Sequence, residues 1–197
     1  MIVTLTLEKI NIKKDDYRCT FSTETLNELS SAGLIRKRKK IYKLQINNRE
    51  LQLECPLLKH PNENVVLWPA SKVPYRKYPV YIYLFAVALY LSNDLSMRSV
   101  AAKVRQQFGL AKFSHSTLCR ALQKLKEKIP ELVSLTDINT AAETPPIIPR
   151  KNWSPSRQEQ YRRLLNILAP VLNKSKTICY SSLLNYRCYN KTMKFLL

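Results

Sequence analysis

Acidic side chains, paired cysteines and long apolar runs are all scarce in this sequence, and each shortage removes a class of protein. Only 14 Asp and Glu stand against 33 Lys and Arg, a formal net charge of +19. A lone monomer so charged repels itself, and polyanions or an anionic surface are its natural partners. The five cysteines, Cys19, Cys55, Cys119, Cys179 and Cys188, are too sparse, and odd in number, for a disulfide-stapled secreted domain. The opening Met1-Ile2-Val3-Thr4-Leu5-Thr6-Leu7-Glu8 lacks the basic, apolar and small-residue order of a signal peptide, so a reduced, cytoplasmic setting is expected. The longest apolar run, residues 80–91, falls well short of the ~20 residues that cross a bilayer as a helix, and no membrane partner is expected. Catalytic groupings are missing too. His115 has no nucleophile with an orienting carboxylate beside it, so it reads as a surface residue opening a helix, and neither catalysis nor a small-molecule substrate is expected.

What is present is globular: 45% hydrophobic and 24% charged residues suit one good core or two small ones. Cations outnumber acids in each of the stretches 1–79, 80–135 and 136–197, so the charge is spread and not held in a tail. The clearest pattern lies between residues 79 and 129. Met97, Val100, Ala101, Val104 and Phe108 recur at helical spacing, and Leu118, Ala121, Leu122, Leu125 and Ile129 repeat it, so two helices each bury one stripe. Ser96 and Ser114 stand where N-caps belong, and Gly109 suits the left-handed residue that closes the first helix. The apolar helix over 80–91 precedes both. With Tyr81, Tyr83 and Tyr90 partly covered, it should be the central member of a three-helix unit. Cys119 is expected at the edge of that core.

Before these helices the chain reads as a small α+β region, residues 1–73. Val3, Leu5 and Leu7 alternate as in a half-buried strand, and a short helix is expected from Thr25, with Glu28 completing a capping box and Gly33 at its exit. Tyr42, Leu44 and Ile46 alternate before Asn47-Asn48, and Leu51, Leu53 and Cys55 after it, the pattern of a β-hairpin. The cationic run that includes Arg36, Lys37 and Arg38 sits at one end of that small sheet, as a solvated edge or a phosphate-contacting patch. Cys55, His60 and Cys19 are zinc-ligand types without the closely spaced pairs of a structural site, so no metal or other cofactor is assigned. Val73-Pro74-Tyr75-Arg76-Lys77-Tyr78-Pro79 is expected to be extended, with Pro79 in the first turn of the helix that follows.

After the helix-turn-helix domain, residues 74–135, comes a Pro-rich linker, 136–152, which cannot form regular ladders. The last segment, 153–197, opens with Ser154-Pro155, a cap and an N1 proline. Tyr161, Leu164, Leu165, Leu168 and Leu172 then mark an amphipathic helix with Arg157, Arg162 and Arg163 toward solvent. This helix either folds back or pairs with another chain, so a homodimer stays open. Residues 177–197 show no clear periodicity. The fold class expected is therefore mainly α with a small N-terminal β part, a trihelical helix-turn-helix unit preceded by a β-hairpin region.

Placing Leu118, Leu122 and Leu125 inward points Ser116, Arg120 and Gln123 outward, with Thr117 and Lys124 on one flank and His115 on the other. A major groove admits an α-helix. Arg can grip guanine and Gln can pair with adenine, each good pair contributing about 1–3 kcal/mol of base discrimination. Ser114, Ser116 and Thr117 can bond phosphates or bases near the helix start, and Arg98 adds a cation on the preceding helix. The plainer reading is an ordinary helix with a solvated polar face. A second class of function is a protein-interaction or oligomerisation module working through the C-terminal amphipathic helix. RNA is disfavoured, because no aromatic stacking platform is legible.

The run Val73 to Pro79 leading into an apolar helix, then Ser96-Met97-Arg98-Ser99-Val100-Ala101, then Phe113-Ser114-His115-Ser116-Thr117 and Arg120, resembles the N-terminal part of insertion-sequence transposases and related small proteins. The resemblance covers about residues 40 to 130. It implies a Cys-rich β-ribbon before a helix-turn-helix, and double-stranded DNA of a mobile element as the partner. The chain departs from that pattern in two places. Cys55 lacks its paired cysteine, so the ribbon is a degenerate one without its metal. Downstream, Glu131, Asp137, Glu143 and Glu159 stand in no run of alternating strands that could present the carboxylates of a two-metal nuclease.

Overall fold

The computed structural model describes residues 2–6, 9–13, 16–20, 35–46 and 49–59, mostly as backbone, together with Asn27, Ser31 and residues 64–135, 145–173 and 176–197. The protein is mainly helical from residue 80 onward. The expected helix from Thr25 to Gly33 falls outside the described residues apart from Asn27 and Ser31, whose hydroxyl donates to the Asn27 carbonyl at 2.9 Å. His60 and the Asn47-Asn48 connection also lie outside them.

Among the described residues six strands lie before residue 70: β1 (Ile2–Thr6), β2 (Lys9–Lys13), β3 (Asp16–Thr20), β4 (Ile35–Ile46), β5 (Arg49–Lys59) and β6 (Asn64–Pro69). β2 and β3 pair alone, antiparallel, while the other four follow the order β1-β6-β5-β4, with β1 parallel to β6. Along β4 and β5, which run antiparallel, the register sets Tyr42 opposite Leu53 and Leu44 opposite Leu51. A bulge between Arg36 and Arg38 interrupts it, on the strand at the sheet's edge.

The segment from Val73 to Pro79 is not extended as expected. Tyr75 takes a left-handed conformation, φ 59°, and the Arg76 N–H donates to the Val73 carbonyl at 3.3 Å, closing a tight turn. Pro74 fixes φ at the second position of that turn, which leaves the positive φ to the residue after it. Pro79 is the residue before the helix rather than part of its first turn.

Helix α1 (Val80–Ser92) is apolar on every side, and all but two of its residues are buried. Its Val80 N–H is satisfied by the Ser71 carbonyl at 2.7 Å, in place of a side-chain cap. Helix α2 (Met97–Phe108) begins at Ser96, whose hydroxyl accepts the Ser99 N–H at 3.1 Å, and closes on Gly109 at φ 59°. Helix α3 (His115–Glu127) begins at Ser114, whose hydroxyl accepts the Thr117 N–H at 3.1 Å. α1, α2 and α3 pack pairwise on one another, and the two expected stripes supply their contacts.

A short α4 (Ile129–Val133) follows, then α5 (Pro155–Leu168), a 3-10 turn (Ala169–Leu172) and α6 (Thr177–Thr192). The region from residue 177, which showed no periodicity, is thus largely a helix of 16 residues. Both C-terminal helices fold back on α1 and share its core, with Leu164, Leu168, Leu184, Cys188 and Leu196 buried there. Arg150 fastens the end of the linker. Its guanidinium donates to the carbonyls of Tyr90, Asn93 and Leu95 at 3.2, 3.2 and 2.7 Å, and lies 4.1 Å from the Tyr90 ring centroid. A cation at the C-terminus of α1 thereby meets carbonyls that have no helical partner, and docks Trp153 and α5 beside it. Among the described residues no helix is long and apolar enough to cross a membrane.

Candidate nucleic-acid interface

α3 is held from one side only. Leu118, Ala121, Leu122 and Leu125 are buried, with Leu118 and Leu125 inaccessible to solvent, while Arg120, Gln123 and Lys124 on the opposite side are exposed. Arg120 and Gln123 are three residues apart and share a face. Neither makes a hydrogen bond or an ion pair among the described residues. Lys124 meets Glu127 at 3.0 Å, both half-exposed, a pairing that water and salt weaken and that leaves the ammonium free to exchange partners.

The opening turn supplies the rest. Ser114 and His115 are exposed, Ser116 and Thr117 half-buried, and the Ser114 and Thr117 hydroxyls lie 3.0 Å apart. The Ser114 and Thr117 hydroxyls are thus already engaged in the cap, which fixes the helix start. Between α2 and α3 lies a depression of about 450 Å³ lined by Tyr78, Arg105, Lys112, Phe113, Ser114 and Thr117 among others. Arg105 donates to the Phe113 carbonyl at 2.9 Å and so ties α2 to the turn that precedes α3. Arg105 and Lys112 carry charge to the helix start and were not among the residues singled out from the sequence. The signal was there, since both border Gly109 and Ser114, but apolar periodicity does not report it.

Arg98 is exposed on α2, the neighbouring helix. Arg36, Lys37 and Arg38 belong to β4, a different element at the sheet's edge, and their side chains lie outside the described residues. Cys119 is exposed, not at the edge of the core. It follows Leu118 by one residue, about 100° around the helix, which takes it off the buried stripe. Among the described residues no group of three or more His, Cys, Asp or Glu side chains could hold a metal ion. Cys55 is buried.

Burial shifts three groups in or beside the loop that leads into α1, raising the Tyr78 hydroxyl among them. It lowers the Lys72 ammonium to about 8, and it raises the Tyr83 hydroxyl, which accepts the Tyr78 N–H at 3.4 Å. These groups hold the loop and do not face the outer side of α3.

Compared with known proteins, the chain matches no family model, no curated protein and no solved structure. Its functional reading therefore rests on its own residues.

Proposed function

We propose that this protein binds double-stranded DNA with sequence preference, laying α3 in the major groove and neutralising phosphates with its basic surface. One observation carries the reading: Arg120 and Gln123 project from a helix whose other side is locked into the core, and nothing in the described chain covers them. Guanidinium and carboxamide groups are the two side chains best matched to purine edges. Ser114, His115, Ser116, Thr117 and Lys124 would serve the flanking phosphates or bases, Arg98 the backbone from α2, and Arg36, Lys37 and Arg38 a more distant stretch. In this reading the chain is transposase-derived and works in the cytoplasm. A β-hairpin, the degenerate ribbon, precedes the trihelical unit, and there is neither a cofactor nor catalysis.

Selection of bound sequences from random duplex DNA tests it. An enriched site is expected, with affinity falling against salt at a log–log slope of about −0.9 per neutralised phosphate. Arg120→Ala should flatten the preference among sites more than it weakens general binding. Unchanged preference in Arg120→Ala would remove α3 from the readout. Docking of a protein through the amphipathic C-terminal helix is less favoured, because Tyr161, Leu164, Leu165 and Leu168 of α5 are buried within the chain's own core.

A further inference from the structure

Tyr75 is the most exposed large hydrophobic residue described, at 105% of its reference area, and its φ of 59° is one that a Cβ disfavours. Met193, the other exposed large apolar residue with positive φ, closes α6, where such a conformation is usual. Tyr75 closes no helix. Its ring contributes nothing to the core, and Gly or Asn would take the same backbone with less strain, so the fold itself gives no reason for a tyrosine here.

The turn is nevertheless held firmly. The Arg76 carbonyl accepts from Lys72 Nζ, the Arg76 N–H donates to Val73, and the Val80 N–H donates to Ser71. Tyr78 packs its ring 5.9 Å from Tyr83 and 5.6 Å from Phe113, the residue just before the cap of α3. From Tyr75 to Tyr78 the backbone spans at most about 11 Å, and Tyr78 itself packs against the residue that precedes the cap of α3. Cations follow it in the chain and continue toward α3: Lys77 is exposed, Arg76 half-exposed, and Arg105 and Lys112 line the depression that Tyr78 shares with Ser114 and Thr117.

We infer that the Tyr75 turn is a second DNA-contacting element, in which the Tyr75 ring stacks on a base at a deformable step beside the segment that α3 reads, while Arg76 and Lys77 meet the flanking phosphates. The inference rests on the reading of α3 as a DNA-contacting helix. An aromatic ring offers a stacking face to any base, and side-chain wedges enter most readily where a base step already unstacks cheaply. The cations next to it in the chain favour a polyanion over an apolar partner.

The test uses the full chain, a fluorescein-labelled duplex carrying the selected site, and the same duplex with 2-aminopurine at each flanking step in turn. Tyr75→Gly is expected to melt at or above the wild-type temperature, because the strain is relieved, yet to bind the duplex about fivefold or more weakly. Tyr75→Phe, which keeps the ring, should bind within about twofold of wild type. Wild type should change 2-aminopurine fluorescence at one flanking step, and Tyr75→Gly at none. Should Tyr75→Gly fold poorly, Tyr75→Asn, also tolerant of positive φ, makes the same comparison. If the ringless variant binds like wild type while Arg120→Ala still loses its site preference, the Tyr75 proposal fails and the reading of α3 stands. If the wild-type chain shows no preference among duplexes, the reading of α3 fails and takes the Tyr75 proposal with it.

Discussion

α3 and α6 are helices of similar length that use their polar residues in opposite ways. On α3 the buried side is Leu118, Ala121, Leu122 and Leu125, and the polar side chains are left to solvent. On α6 the buried side includes Thr177, Ser181, Ser182 and Asn185, and two of these, Thr177 and Asn185, bond other parts of the chain. Asn185, fully buried, donates to the Ala70 carbonyl at 2.8 Å and accepts the Leu196 N–H at 3.0 Å. It joins the end of β6 to the last residues of the chain. Thr177 donates to the Val171 carbonyl at 2.8 Å and fixes the corner between the 3-10 turn and α6. A polar row on a helix is therefore left to solvent in one case and forms a structural seam in the other. The difference lies in whether the partners come from the same chain.

The comparison can be pressed by substitution, beginning with the largest effect. Leu118→Ala, at an inaccessible site between α3 and the core, should lower stability by about 2–5 kcal/mol in urea unfolding, through lost transfer energy and the cavity left behind. Asn185→Ala should cost about 1–3 kcal/mol, because a buried carbonyl and a buried N–H both lose a partner, although almost no apolar surface changes. A loss well below that range would show that water or other groups replace the amide. Arg120→Ala and Gln123→Ala, in contrast, should each leave the urea midpoint within about 0.5 kcal/mol of wild type, since both side chains stand in solvent. A larger change would mean that they serve the fold, as Asn185 does, and would undercut the role in binding proposed for them.

α2, the turn and α3 were legible because every determinant is local. Ser96, Gly109 and Ser114 punctuate the helices within a few residues of the apolar stripes they bound, and the observed caps fall on those residues. The outward placement of Arg120, Gln123 and Lys124 follows from the same period. α6 was not legible, since a buried row of Thr, Ser and Asn carries no hydrophobic periodicity. The choice for α5 between folding back and pairing with another chain was also undetermined, because an apolar stripe says that a helix is covered and not by what. Tyr75 was misread as extended. Its conformation follows from the Pro74-Tyr75 pair once the Arg76 N–H closes the turn, a signal available but outweighed by the general preference of residues near proline for extended backbone.

By itself the sequence determined the charge of the molecule, the three central helices and the side of α3 that is buried, since these depend on composition and on residues within one or two turns of each other. Only the tertiary structure decided that α5 and α6 close over α1, that Asn185 is buried while Arg120 is exposed, and that an exposed tyrosine with positive φ stands in the turn before α1. Those outcomes depend on groups distant in the chain, and a polar side chain is identical in sequence whether its partner is a far carbonyl or water.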